Sequence, residues 1–491
     1  MGRWARLLPA AALLLAGCGD FWEAPGGNSS ASFTLSNSGN ITMGQSATGT
    51  STITVTPASS FTGTVTLSCA VTAPTGASNP ATCGLSPASL TFSSATAQTS
   101  TLTATTSSST SGAYQILVTG VSGSVSETTS VCAAVGTGTC TTAANSGQFY
   151  ILNSSTTSSS SIAGYSISGG KLTSISGSSP TVNGVALAIA IAPNGKFLCV
   201  SSSYGVYAYP ITSGALGTGV KVTSDPAYAI QIDSTDSWLI EAIPATGGVT
   251  FGAVPINSTT GVNTGSEVTA TFAVANASLP QGQMVISPDN SYIFAALETG
   301  GTIVVPFSSS SPFPSGTSAK TIGVANTGGS ALSVAVDPSS TPRMFYIGET
   351  LAGSGGTTGG LRAFTYASLS TSTLVQATGS PIPSGGLAPT FILPVASPSY
   401  VYVANGIGNI TGFAVSWSAS PYSIATGTVI TAGAQPAGMA LDSTGSWVFE
   451  VGSSGSPYFD AYTFDASIIG QLDSQVTSTA PATSIAIVAA P

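Results

Sequence analysis

Three glutamates close apolar segments that read as strands of a repeat: Glu241 after Trp238-Leu-Ile, Glu298 after Phe294-Ala-Ala-Leu and Glu450 after Trp447-Val-Phe. At comparable points of three repeats, they would ring one face of a disc. Carboxylates gathered in that way could hold a cation or act as a general base. Spread through loops, they would simply be solvated. These three are the candidates for a catalytic role. A second acidic set, Asp233, Asp337 and Asp442, falls in the turn after the preceding strand, with Ser287 at the matching place of another repeat. Asp in such a turn caps its own backbone. The chain has no His, so a Ser-His-Asp triad would lack its base. It has no Asp-x-Asp-x-Asp-Gly loop, haem-attachment motif, phosphate loop or nucleotide fingerprint. No metal and no cofactor is expected.

The cysteines have separate tasks. Cys69 and Cys83 flank a Pro/Gly/Asn-containing stretch and are expected to bridge; a loop of about 15 residues closed this way stabilises by roughly 3 kcal/mol. Cys132 and Cys140 flank Gly136 and Gly138 and are expected to staple a linker. Metal binding there would need a His or a Cys-x-x-Cys pair. Cys199 falls mid-strand and reads as a buried free thiol.

A fixed phrase positions the acidic residues. It reads Ile191-Ala-Pro-Asn-Gly-Lys-Phe-Leu-Cys-Val, Ile232-Asp-Ser-Thr-Asp-Ser-Trp-Leu-Ile, Ile286-Ser-Pro-Asp-Asn-Ser-Tyr-Ile-Phe, Val336-Asp-Pro, Ile392-Leu-Pro and Leu441-Asp-Ser-Thr-Gly-Ser-Trp-Val-Phe. The turn positions Pro193, Ser234, Pro288, Pro338, Pro394 and Ser443 are spaced 41, 54, 50, 56 and 49 residues apart. That period suits the roughly 40–50 residues of a four-stranded propeller blade. Two orphans remain, Gln148-Phe-Tyr-Ile-Leu-Asn and Ser484-Ile-Ala-Ile-Val-Ala. Joined, they complete a seventh blade and close the edges an open array would expose. The count rests on this fit, with six or eight as alternatives.

Charged residues are 5% of the chain, with eight Lys and Arg against 17 acidic residues and a net charge of −9. A typical soluble domain carries about 25%. A basic footprint for nucleic acid is absent, so no nucleic-acid partner is expected. The N-terminus has a short basic start, Met1-Gly-Arg-Trp-Ala-Arg, then an apolar run from Leu7 to Ala16. That run is too short to span a bilayer and right for a signal peptide.

Directly after it, Leu15-Ala-Gly-Cys18 resembles the bacterial lipobox. The resemblance implies cleavage before Cys18 and lipid on its thiol and amine; two or more chains anchor stably. Gly19 stands where Asp would signal inner-membrane retention, which favours the outer membrane. The expected order is a signal peptide at 1–17, a lipidated tether at 18–31, a β-sandwich at 32–133, a linker at 134–146 and a propeller at 147–491. Short alternating segments with frequent turns give the sandwich. Val65–Cys69 and Ala81–Pro87 resemble the matching segments of bacterial Ig-like surface modules.

The Ser-Pro-Asp-Asn-Ser-Tyr-Ile-Phe-Ala phrase at 287–295 and its relatives resemble the lactonase-type (YVTN-like) seven-bladed propellers, over about 147–491. In the enzymes of that family a His precedes the first strand of a blade, with Arg and Glu facing the tunnel. The matching stretches here, Pro226-Ala-Tyr-Ala-Ile, Gln281-Gly-Gln-Met-Val and Pro436-Ala-Gly-Met-Ala, carry none. Gln231, Gln283 and Ser333 are the polar groups on the first strands. The expected protein is all-β and monomeric: an Ig-like sandwich, then a seven-bladed propeller closed by its C-terminal strand. Its expected role is that of a non-catalytic envelope lipoprotein binding a protein or glycan through residues such as Tyr204, Tyr422 and Tyr458. The alternative is a lactonase-like hydrolase or isomerase acting on a small lactone.

Overall fold

A computed structural model describes residues 33–491 except 58–60, 74–76, 78, 108–110, 124, 139, 141–145, 156–158, 169–170, 339–342, 367–373, 397–398, 417–422, 426–428, 433, 456, 466–469 and 480–482. The leader, Cys18, the tether and Tyr422 lie outside the described residues. All the regular elements described are strands.

Residues 33–135 form two sheets. One has the order Phe33–Asn37, Thr48–Pro57, Gln98–Thr105, Thr82–Ser86; the other Ile41–Met43, Val125–Val135, Gly112–Ser122, Gly63–Thr72, Ser89–Phe92. Alternation decides which side chains meet. In Thr48–Pro57, Ile53 and Val55 turn inward while Thr52, Thr54 and Thr56 do not. Ile53 and Leu102 of one sheet pack with Tyr114, Ile116, Val118 and Val131 of the other. The Cys69–Cys83 disulfide joins a strand of one sheet to a strand of the other, and Cys132–Cys140 ties the last strand to the segment beyond it.

Among the described residues from Phe149 onward, seven successive antiparallel sheets follow, each built round a four-strand path. Their innermost strands are Ser484–Ala489, Ala186–Ile191, Ala229–Ile232, Met284–Ile286, Ala331–Val336, Pro389–Val395 and Ala434–Leu441. Each touches the next, and the last touches the first. This closed ring fits a β-propeller. It is completed by antiparallel pairing of Phe149–Asn153 with Ser484–Ala489, Phe149 opposite Ala489. Stacked rings of Phe149, Phe449 and Phe459 pack beside that seam.

The second strands are the most buried. Every residue of Phe197–Ser202 and Met344–Glu349 is buried, because each lies between two neighbouring sheets. Successive side chains face opposite neighbours: Leu239 packs toward the preceding sheet and Ile240 toward the following one. A strand covered on both faces reads as a continuous apolar run.

The turns between first and second strands are capped by side chains. Asp233 Oδ1 accepts from the Ser237 and Trp238 amides, both at 2.8 Å. Asp442 Oδ1 accepts from Ser446 and Trp447 at 2.9 and 2.8 Å. Ser287 Oγ replaces the carboxylate for Ser291 and Tyr292. Asp337 accepts from the Tyr346 hydroxyl at 3.1 Å.

Candidate functional site

Glu241, Glu298 and Glu450 do not ring one face. Glu241 and Glu450 each occupy the fourth position of a second strand and are fully buried. They are interior groups and not solvated loop carboxylates. By alternation both face the preceding sheet. Glu298 lies past the end of Tyr292–Ala296, half-buried, with φ at 47°. The sequence places all three after apolar runs, but only the strand register tells an interior position from a turn.

The same interior side holds a third glutamate that the sequence pattern passes over. Glu349 ends Met344–Glu349 on the side of Phe345 and Ile347, and is 1% exposed. Its Oε1 accepts from Arg362 Nη1 at 2.7 Å and its Oε2 from the Ala325 amide at 3.0 Å. The guanidinium also donates to Gly323 O and lies 4.9 Å from the Phe364 ring centroid. A buried carboxylate needs such compensation.

Among the described residues no cation pairs with Glu450. It stands opposite Asp460 on the neighbouring strand, and neither of its oxygens has a hydrogen-bond partner. Burial, then the Asp460 charge, holds its carboxyl well above the usual range. Tyr462 is hydrogen-bonded to Asp460, and burial pushes that phenol up as well.

Around Glu241 the acidity is concentrated. Its Oε1 accepts from Thr223 Oγ1 at 2.8 Å, while its Oε2 is buried without a partner. Oxygens of Asp225, Glu241 and Glu267 all lie within 4.8 Å of one another. Asp225 is exposed, Glu267 half-buried and Glu241 enclosed. Burial is the main cause that raises the Glu241 carboxyl, to about 8; the Thr223 hydrogen bond opposes it, and the Glu267 and Asp225 charges add to it. Glu267 is also raised, by burial and then by Asp225. Gly252, directly opposite Glu241, leaves the space: a Cβ there would overlap Glu267 Oε1 and stand 3.5 Å from Glu241 Oε2. Cys199 lies close by on the preceding sheet, its thiol raised by burial and by Glu241.

The remaining candidates take structural places. Gln283 and Ser333 join inner strands: Gln283 Nε2 donates to Thr390 O at 3.2 Å and Ser333 Oγ to Pro389 O at 2.8 Å. Gln231 is half-buried on its inner strand. Tyr458 is half-buried, whereas Tyr204 is 60% exposed. A cleft of about 420 Å³ opens between the first two sheets, and Tyr209 is the one titratable residue among those lining it.

No protein-family model matches the chain. No curated protein matches it either. Among solved structures it is similar to the β-propeller domain of Cps50 (Swd1) from Myceliophteria thermophila, at 14% identity and TM-score 0.46, covering 63% of this chain and 90% of that one. It is also similar to the dihydro-heme d1 dehydrogenase NirN, at 12% identity and TM-score 0.43, covering 69% and 74%. A third likeness is to a chain of a nidogen/laminin complex, at 7% identity and TM-score 0.38, covering 70% and 98%. At these values the likeness assigns no activity.

Proposed function

We propose that this chain is a cell-envelope lipoprotein, held by lipid on Cys18 and favouring the outer membrane. Residues 32–133 serve as an Ig-like spacer. Residues 147–491 serve as a seven-bladed propeller of lactonase type that binds a protein or glycan without catalysis. The observation that carries this reading is a set of exposed apolar side chains on one face of the ring. In a four-strand meander, the turns between second and third strands and the connectors between sheets fall on the same face. Tyr204 and Ile407 sit in such turns and Leu387 in such a connector, exposed by 60%, 55% and 43%. Leu387 and Ile407 are neighbours, since the Gly406 amide donates to Ala388 O at 2.9 Å. Large apolar groups held in water at turn tips suit a broad recognition surface.

The test is crosslinking on intact cells with the wild-type full chain and its Tyr204→Ser, Leu387→Ser, Ile407→Ser triple variant. The wild type is expected to capture a defined envelope partner, and the variant to lose it while melting at the same temperature. Equal capture would remove this face from the reading. Cys18→Ala is expected to move the protein to the soluble fraction; continued membrane association would sink the anchor. Turnover of a sugar or aromatic lactone that disappears with Glu241→Gln, Glu298→Gln or Glu450→Gln would favour the hydrolase or isomerase alternative.

A further inference from the structure

We propose that Asp225, Glu241 and Glu267 form a site for a divalent cation, calcium above all, in the crevice between the second and third sheets of the ring. The fold treats its interior glutamates unequally. Glu349 faces the preceding sheet and meets Arg362 at 2.7 Å. Glu241 faces the preceding sheet in the same way, and the charges acting on it are Glu267 and Asp225, both negative. Three carboxylates converging on one crevice, one of them enclosed, repel one another and pay desolvation. A cation among them would reverse both penalties.

Several features prepare the site. Glu241 Oε2 is buried, unpartnered and within 4.8 Å of oxygens from the other two carboxylates. Glu267 Oε1 is also buried without a partner. Thr223 fixes the other Glu241 oxygen, so the carboxylate is oriented before anything binds. Gly252 keeps the floor free of side chain. The exposed Asp225 leaves the outer side open to water, which would complete the coordination shell. All the donors are hard oxygens, the set that calcium takes in a flexible shell of six to eight. Magnesium demands a near-ideal octahedron, which three carboxylates from a connector, a second strand and the residue just before a fourth strand are poorly placed to supply.

The groups facing Glu241 are Asp225, Glu267, the Thr223 hydroxyl and the Cys199 thiol. None supplies a positive charge.

The full chain, stripped with chelator, is titrated at pH 7 with calcium chloride and separately with magnesium chloride. Heat of binding is measured, and melting temperature is followed in parallel. One calcium per chain and a rise in melting temperature are expected, with magnesium at least tenfold weaker. Glu241→Gln should melt no lower than the wild type without calcium and lose at least tenfold in calcium affinity. Glu267→Gln, at a half-buried position, should weaken binding in the same direction and guards against a folding defect in the first variant. Absence of saturable binding, or binding that survives both substitutions, would overturn the proposal.

Discussion

A carboxylate packed among strands can keep its charge beside a cation, give the charge up to a proton, or draw in an ion from solution. Glu349 takes the first course with Arg362. Glu450, beside Asp460 with both oxygens unpartnered, takes the second. Its carboxyl and that of Glu241 are raised chiefly by burial. The folded chain therefore holds protons that the unfolded chain loses above about pH 4.5. Stability from these groups is full below that pH and falls as pH rises, for Glu241 until about 8. Glu450→Gln removes one such group. Its stabilising effect relative to the wild type should be larger at pH 8.5 than at pH 5.5, growing on the order of 1 kcal/mol per pH unit where Glu450 titrates. Urea midpoints of both proteins at the two pH values measure this; an equal difference at both would refute the assignment.

At the scale of elements, the capped turn is the unit that recurs. Asp442→Ala would leave the buried Trp447 amide without its acceptor and would free Ser446, Thr444 and Gly147. A cost of about 2–3 kcal/mol is expected, read as a lowered urea midpoint. Asp442→Ser, which Ser287 imitates elsewhere, should recover part of it. These turns were legible because the polar residues sit between apolar runs. The acidic crevice was not legible. Asp225 comes from a connector, Glu241 from a second strand and Glu267 from just before a fourth. They meet only through the register that sets Glu241 against Gly252 and Gly252 against Thr269. Glu349 escaped notice for a related reason: its meaning lies in Arg362 on the next strand. Glu298 attracted notice because it follows an apolar run, yet the chain has already turned there.

At the scale of the molecule, the ring depends on one seam between its two ends. Ile487 packs with Phe149, Phe449 and Trp447 behind that seam. Deleting residues 484–491 should bare the Phe149–Asn153 edge and cost more than about 3 kcal/mol, with loss of a single sharp melting transition and a tendency to associate through the open edge. A synthetic peptide of the deleted sequence should restore the transition in trans. A truncated chain that melts like the wild type would show that the seam is dispensable.

That seam also has a timetable. Asn153 and Ser484, hydrogen-bonded side by side, are 331 residues apart in the chain. A ribosome adding 5–20 residues per second makes the first about 15–70 s before the second. Throughout that interval the earliest sheet waits with a naked flank while six later sheets assemble behind it. The ring's oldest strand is thus the last to be satisfied, and a chain that stops short of Ser484 yields a circle of sheets that never shuts.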